Sequence, residues 1–72
     1  MKQTVHRGYL VTAVSREDPP GEWRSRWSAK RIGESEAHFE SWKTVGAYLT
    51  ESEADEAGLL AGCDWVDKYG RF

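Results

Sequence analysis

The chain has 72 residues, a formal charge of −2 and one cysteine among 39% hydrophobic residues. A single small domain is all that this length supports, and such a domain buries only about 60% of the surface its unfolded chain exposes. The lone Cys63 excludes an intrachain disulfide and fits a reducing, cytoplasmic setting. Met1 to Gly8 has no apolar run and does not read as a signal peptide. No stretch approaches the roughly 20 apolar residues of a membrane span. Residues 1–43 carry eight Lys/Arg against six Asp/Glu, and residues 44–72 carry two against six, so acid gathers in the C-terminal part. Four tryptophans, three tyrosines and two phenylalanines give the chain more ring area than its length requires.

The first eight residues are expected to fray. Residues 9–15 are β-branched and apolar and predict a strand. Arg16 to Glu22 contains Pro19, Pro20 and Gly21 and predicts the loop of a wide hairpin. Residues 23–32 alternate, with Trp23, Ser25, Trp27 and Ala29 on one side and Arg24, Arg26, Ser28 and Lys30 on the other. That period of two predicts a strand with one face buried. A turn at Gly33 to Glu36 leads to a third strand over about 37–44, where Phe39 and Trp42 share a face only if a bulge intervenes. Whether residues 45–49 extend it is left open.

Thr50 and Glu53 fit a capping box, and Glu51, Glu53, Asp55 and Glu56 complement the positive end of a helix that runs from about 51 to 69. Leu49 is placed to staple onto Ala54, and Gly70 suits a left-handed position after the helix, with Lys68 and Arg71 near its negative end. Ala54, Gly58, Leu59, Ala61, Gly62, Trp65, Val66 and Tyr69 form the packed stripe. Gly58 and Gly62 each cost about 1 kcal/mol of helix propensity against alanine. The return is close approach, with Trp23 and Trp27 expected over Gly58, Ala61 and Gly62. The fold class is therefore α+β: a three-stranded antiparallel meander covered on one face by a C-terminal helix.

No phosphate loop, paired-cysteine site or zinc-protease motif occurs. Cys63 lies at the margin of the apolar helix face and reads as a packing residue. His6 and His38 are too few for a metal site and are placed on the surface. The carboxylates from Glu51 to Glu56 read as a solvated helix start. No catalytic, cofactor or metal residues are assigned, and an enzyme is not expected.

From about Trp23 to Tyr69 the chain resembles a group of small uncharacterised bacterial proteins with a β-β-β-α layout. The resemblance is carried by Tyr48-Leu49-Thr50-Glu51-Ser52-Glu53-Ala54, then Ala57-Gly58, Ala61-Gly62 and Trp65-Val66-Asp67. It implies the fold and no activity. The layout is also similar to the last part of double-stranded-RNA-binding domains, but the first helix is missing and acids replace the lysine cluster at the start of the last helix.

One helix covers one sheet face, so the other is a candidate contact surface. Tyr9, Val11, Arg24, Arg26, Lys30 and Trp42 are its candidate residues. The partner is expected to be a second copy, giving a homodimer, or another protein. Residues 9–15 form an uncharged edge that such pairing would satisfy, unless Met1–Gly8 or the proline loop covers it within the chain. The alternative is weak nucleic-acid binding through Arg24, Arg26 and Lys30, which the acidic balance of the chain disfavours. A solubilising role with pairs to Glu40 is the plainer account of those cations.

Overall fold

The computed structural model describes residues 1–17, 20–33 and 39–70, and for 39–46 the backbone alone. Four antiparallel strands, β1 (Lys2–His6), β2 (Tyr9–Glu17), β3 (Trp23–Arg31) and β4 (Phe39–Tyr48), lie in the order β1-β2-β3-β4 and precede the helix α1 (Glu51–Tyr69). The α+β meander closed by one C-terminal helix is thus the architecture, with one strand more than the sequence suggests.

The added strand is β1. His6 and Tyr9 pair across a two-residue turn in which Arg7 (φ 51°) and Gly8 (φ 83°) both take positive φ. That geometry is the hairpin turn whose twist matches that of its strands. Gly8 adopts it without strain, and Arg7 is the uncommon choice. The N-terminal residues are therefore ordered in the sheet, and residues 9–15 are an inner strand flanked by β1 and β3. Cover of that edge by Met1–Gly8 is the arrangement found, and the argument for pairing between chains along β2 falls with it.

The alternation in β3 sorts as its sequence requires. Ser25, Trp27 and Ala29 are buried beneath the helix together with Tyr9, Val11 and Ala13 of β2. Trp65 completes this layer, 6.3 Å from the Tyr9 ring and 6.2 Å from the Trp27 ring. Val66 is fully buried against the cluster, with Leu59, Ala61 and Cys63 partly buried at its margin. Trp23 sits away from this centre, at the end of β3 opposite Tyr48, and is only half-buried.

Both helix glycines lie at close approaches. A Cβ on Gly62 would meet Val11 Cγ1 and come 3.2 Å from Trp27 Cε3. A Cβ on Gly58 would meet Ser25 Oγ and come 2.9 Å from Ala13 Cβ. Trp27 thus fills the space over Gly62 as expected, while small residues, and not Trp23, face Gly58.

Thr50 is the N-cap: its extended backbone (φ −132°, ψ 155°) lets the side chain accept a hydrogen bond from Glu53 N at 3.2 Å. Leu49 is 82% exposed, so the expected staple onto the buried Ala54 does not form. Gly70 is extended (φ −64°, ψ 152°), not left-handed, and its N–H closes the helix on Val66 O at 2.8 Å. Arg71 lies outside the described residues. Thr50→Ala is expected to cost about 1 kcal/mol, read as a lower urea midpoint at unchanged slope. Ser52→Ala, which removes no cap, is expected to cost less.

Between β3 and β4 the register shifts twice, between Trp27 and Ser25 and again between Ser25 and Trp23: Ala29 pairs with Phe39, Trp27 with Ser41, Ser25 with Val45 and Trp23 with Tyr48. Four residues of β4 span the length of two in β3 after Ser41, so the strand is irregular beside Trp42 and continues to Tyr48. The side chains of Phe39, Glu40 and Trp42, together with His38 and Glu34 to Glu36, lie outside the described residues.

Candidate functional site

Tyr9 and Val11 are fully buried in the core under α1 and contribute nothing to an outer surface. The cause is the phase of β2, which turns Tyr9, Val11, Ala13 and Ser15 inward and Leu10, Thr12, Val14 and Arg16 outward. The Trp42 side chain is outside the described set. Arg24, Arg26 and Lys30 alternate with the buried Ser25, Trp27 and Ala29 and so stand on the sheet face opposite the helix.

The β2–β3 register then builds that face in rows. Leu10 lies beside Lys30, Thr12 beside Ser28, Val14 beside Arg26 and Arg16 beside Arg24. On the β1 side, Val5 flanks Leu10, and Gln3 Nε2 donates to Thr12 Oγ1 at 3.2 Å. Val14 is 43% exposed and Val5 62% exposed. The surface holds two aliphatic patches, Val5 with Leu10 and Val14, separated by the polar row of Gln3, Thr12 and Ser28, with four cations along its β3 side and end.

Arg16 was not legible as part of this surface, because its position beside two prolines reads as loop. β2 instead continues to Glu17, which pairs with Trp23. Two arginines, Arg16 and Arg24, therefore stand opposite each other across β2 and β3. Glu22 Oε2 accepts from Arg24 Nη2 at 3.2 Å, while the Arg24 Nε is enclosed without an acceptor among the described residues.

The helix side carries the opposite charge. Lys2 Nζ donates to Glu56 Oε1 at 2.8 Å and to Ser52 Oγ at 3.3 Å. His6 Nε2 lies 2.8 Å from Asp67 Oδ1, and Arg7 Nη1 lies 3.4 Å from the same oxygen. These contacts tie β1 to α1, and His6 is half-buried by them. The Glu56 hydrogen bond raises the Lys2 pKa above its ordinary value. The Lys2 contribution to this contact is present at neutral pH and is lost as pH rises through that raised value.

Among the described residues one acid, Asp55, is buried. Asp55 is 3% exposed; its Oδ1 accepts a hydrogen bond from Ser15 Oγ, and its Oδ2 lies 3.5 Å from the Met1 amino nitrogen. The reading of Glu51 to Glu56 as wholly solvated is corrected at this residue, which faces the sheet one helical turn after Glu51.

Burial pushes the Cys63 thiol pKa up, and Asp67 and Asp64 push it further. It is a protonated packing group at neutral pH, a poor nucleophile. No three His, Cys, Asp or Glu side chains among the described residues are placed to hold a metal ion. No helix among them is long and apolar enough to cross a membrane. An open hollow of about 460 Å³ lies between the end of β4 and α1, lined by Tyr48, Ser52, Glu53, Glu56, Ala57 and Leu60.

Residues 1–71 match the model of a domain of unknown function (DUF6566). The chain belongs to this family. No curated protein and no solved structure matches the chain. The family match runs from β1 through α1, so the N-terminal hairpin is as much part of the matched unit as the helix.

Proposed function

We propose that this protein is a small interaction module, not an enzyme, and that it contacts another protein through the sheet face opposite α1. The observation that carries the reading is the composition of that face: the Val5–Leu10 pair and, beyond the polar row of Gln3, Thr12 and Ser28, Val14 are interspersed with Arg16, Arg24, Arg26 and Lys30. Arginine is enriched at protein contact surfaces, where it stands among apolar side chains. The free Cys63 supports a reducing, cytoplasmic setting.

Nucleic acid is the second reading, on the strength of the same cations. It is the weaker one. Of the described rings, Tyr9, Trp27 and Trp65 pack together under the helix and the exposed Tyr69 stands on the helix itself, away from these cations, whereas single-strand binding relies on bases stacking on exposed rings beside the cations.

A photo-crosslinking residue placed at Val14 tests the reading in the living cell, with one at the exposed Asp64 of α1 as the comparison. Discrete protein adducts at position 14 that are absent at position 64 are the expected result. An adduct of twice the chain mass would identify the partner as a second copy. No adduct at position 14, or the same products from both positions, would overturn the reading.

A further inference from the structure

We infer that the hollow between the end of β4 and the first half of α1 is a second contact site, and that it seats an aliphatic side chain of a basic protein segment whose lysine or arginine meets Glu53. The site lies outside the sheet face opposite α1, and the inference does not depend on the reading of that face.

The recess follows from side-chain size. Glu53, Ala57 and Leu60 fall at i, i+4 and i+7 of α1 and share one face of the helix. Ala57 is the short member of that row, so the surface dips between two long side chains. Tyr48, the last residue of β4, walls the dip on the strand side. The resulting hollow of about 460 Å³ has the size of a ligand site. Leu60 is 66% exposed, and Leu49, which follows Tyr48, is 82% exposed. A single exposed leucine is ordinary on a protein surface. Here one leucine lines a recess and the other follows a residue that does.

The rim supplies the charge. Glu53 joins the helix cap through its backbone N–H. Its exposed carboxylate has no hydrogen-bond or ion-pair partner among the described residues. The other acid of the hollow, Glu56, is already held, together with Ser52, by Lys2 Nζ. The capping-box pattern at Thr50 and Glu53 is thus half used, and Glu53 is the counter-ion left for an incoming cation.

Charge also decides the class of occupant. Glu51, Glu53, Glu56, Asp64 and Asp67 are exposed on the same helix against Lys68. That balance draws a basic segment and repels the phosphates of a nucleic acid or an anionic lipid surface. The hollow is open, so a small apolar molecule would stay largely in water, whereas ligand sites cover most of their ligand. A peptide segment adds contacts across the helix surface around the hollow.

Amide chemical shifts of the isotopically labelled protein test the inference. The probes are a synthetic peptide of leucines and lysines at helical spacing, a counterpart with serine for each leucine, and a counterpart with glutamate for each lysine. The leucine–lysine peptide is expected to shift the amides of residues 48, 52, 53, 57 and 60. Binding is expected to weaken by about tenfold or more with either counterpart, which lacks the anchor or the charge match. E53K reverses the charge at the rim and A57L fills the recess; each is expected to weaken binding about fivefold or more. Undiminished binding by A57L, or equal binding of the serine peptide, would reveal charge attraction without a seat and overturn the inference. So would equal binding of the glutamate peptide, shifts confined to the sheet face, or no shift at all. Shifts at these amides that grow with protein concentration in the absence of peptide would assign the hollow to a second copy and overturn the basic partner. The three peptides are compared on the unaltered protein, so the test stands if either variant is unstable. Crosslinking at Val14 reads the opposite face, so each reading can fail without the other.

Discussion

Gly62→Leu is expected to destabilise the domain by about 3 kcal/mol, at the upper end of the usual cost of overpacking. The Cβ alone would meet Val11 Cγ1, and the Trp27 ring edge is 3.2 Å away. Val11 is fully buried on an inner strand, so it cannot yield without moving β2. Trp27 is held between the sheet and Trp65. The helix must therefore lift, which separates Val66 and Trp65 from the sheet as well. Leucine would recover about 1 kcal/mol of helix propensity, far less than the lost contact. In a domain of this size each kcal/mol moves the melting temperature by about 4–8 °C, so a fall of more than 10 °C is expected. Gly62→Ala should show the same sign with a smaller loss. Equal stability of Gly62→Leu in urea melts would mean that the helix does not approach β2 as closely as described.

That contact shows how far the sequence reaches. Two glycines one turn apart on an apolar helix stripe make sense only if something comes close, and the helix bounds follow from the cap at Thr50 and the acids after it. The identity of what comes close depends on β2, whose phase is hidden because Tyr9 to Val14 is apolar or β-branched on both faces. β3 was legible for the opposite reason: its bulky and charged residues alternate. β1 was hidden twice over. Lys2, Gln3, Thr4 and His6 supply little apolar signal around Val5, and the Arg7-Gly8 turn lacks the asparagine or aspartate that usually marks a two-residue hairpin. Its inward residues are polar because they lie at the helix's flank, where Lys2 and His6 meet Glu56 and Asp67. Arrangements of that kind arise between residues about 60 apart in the chain and leave no periodic trace. The surface candidates divided along the same line. Arg24, Arg26 and Lys30 followed from alternation, whereas Tyr9 and Val11 required the phase of β2, and Arg16 required knowing that β2 outlasts its apolar run.

Asp55→Ala is expected to cost about 2–3 kcal/mol, although every neighbouring acid in the first turns of α1 should tolerate alanine within about 0.5 kcal/mol. The difference is burial. Asp55 lies under the helix at 3% exposure and accepts a hydrogen bond from Ser15 Oγ, while Glu51, Glu53 and Glu56 are exposed. A buried carboxylate is tolerated only where its lone pairs are engaged, and here Ser15 and the Met1 amino group engage one oxygen each. Truncating it leaves the Ser15 hydroxyl without an acceptor and a void beside Ala54. Asp55→Asn keeps an acceptor for Ser15 and gives up the charge, so it should cost less than alanine. The pair is separable from its surroundings by a double-mutant cycle with Ser15→Ala. A coupling of about 1 kcal/mol or more is expected, since each single change already breaks the same bond and the second then adds little. Strictly additive losses would show that Asp55 acts through the helix dipole like its exposed neighbours, and that the Ser15 contact contributes nothing to holding α1 on β2.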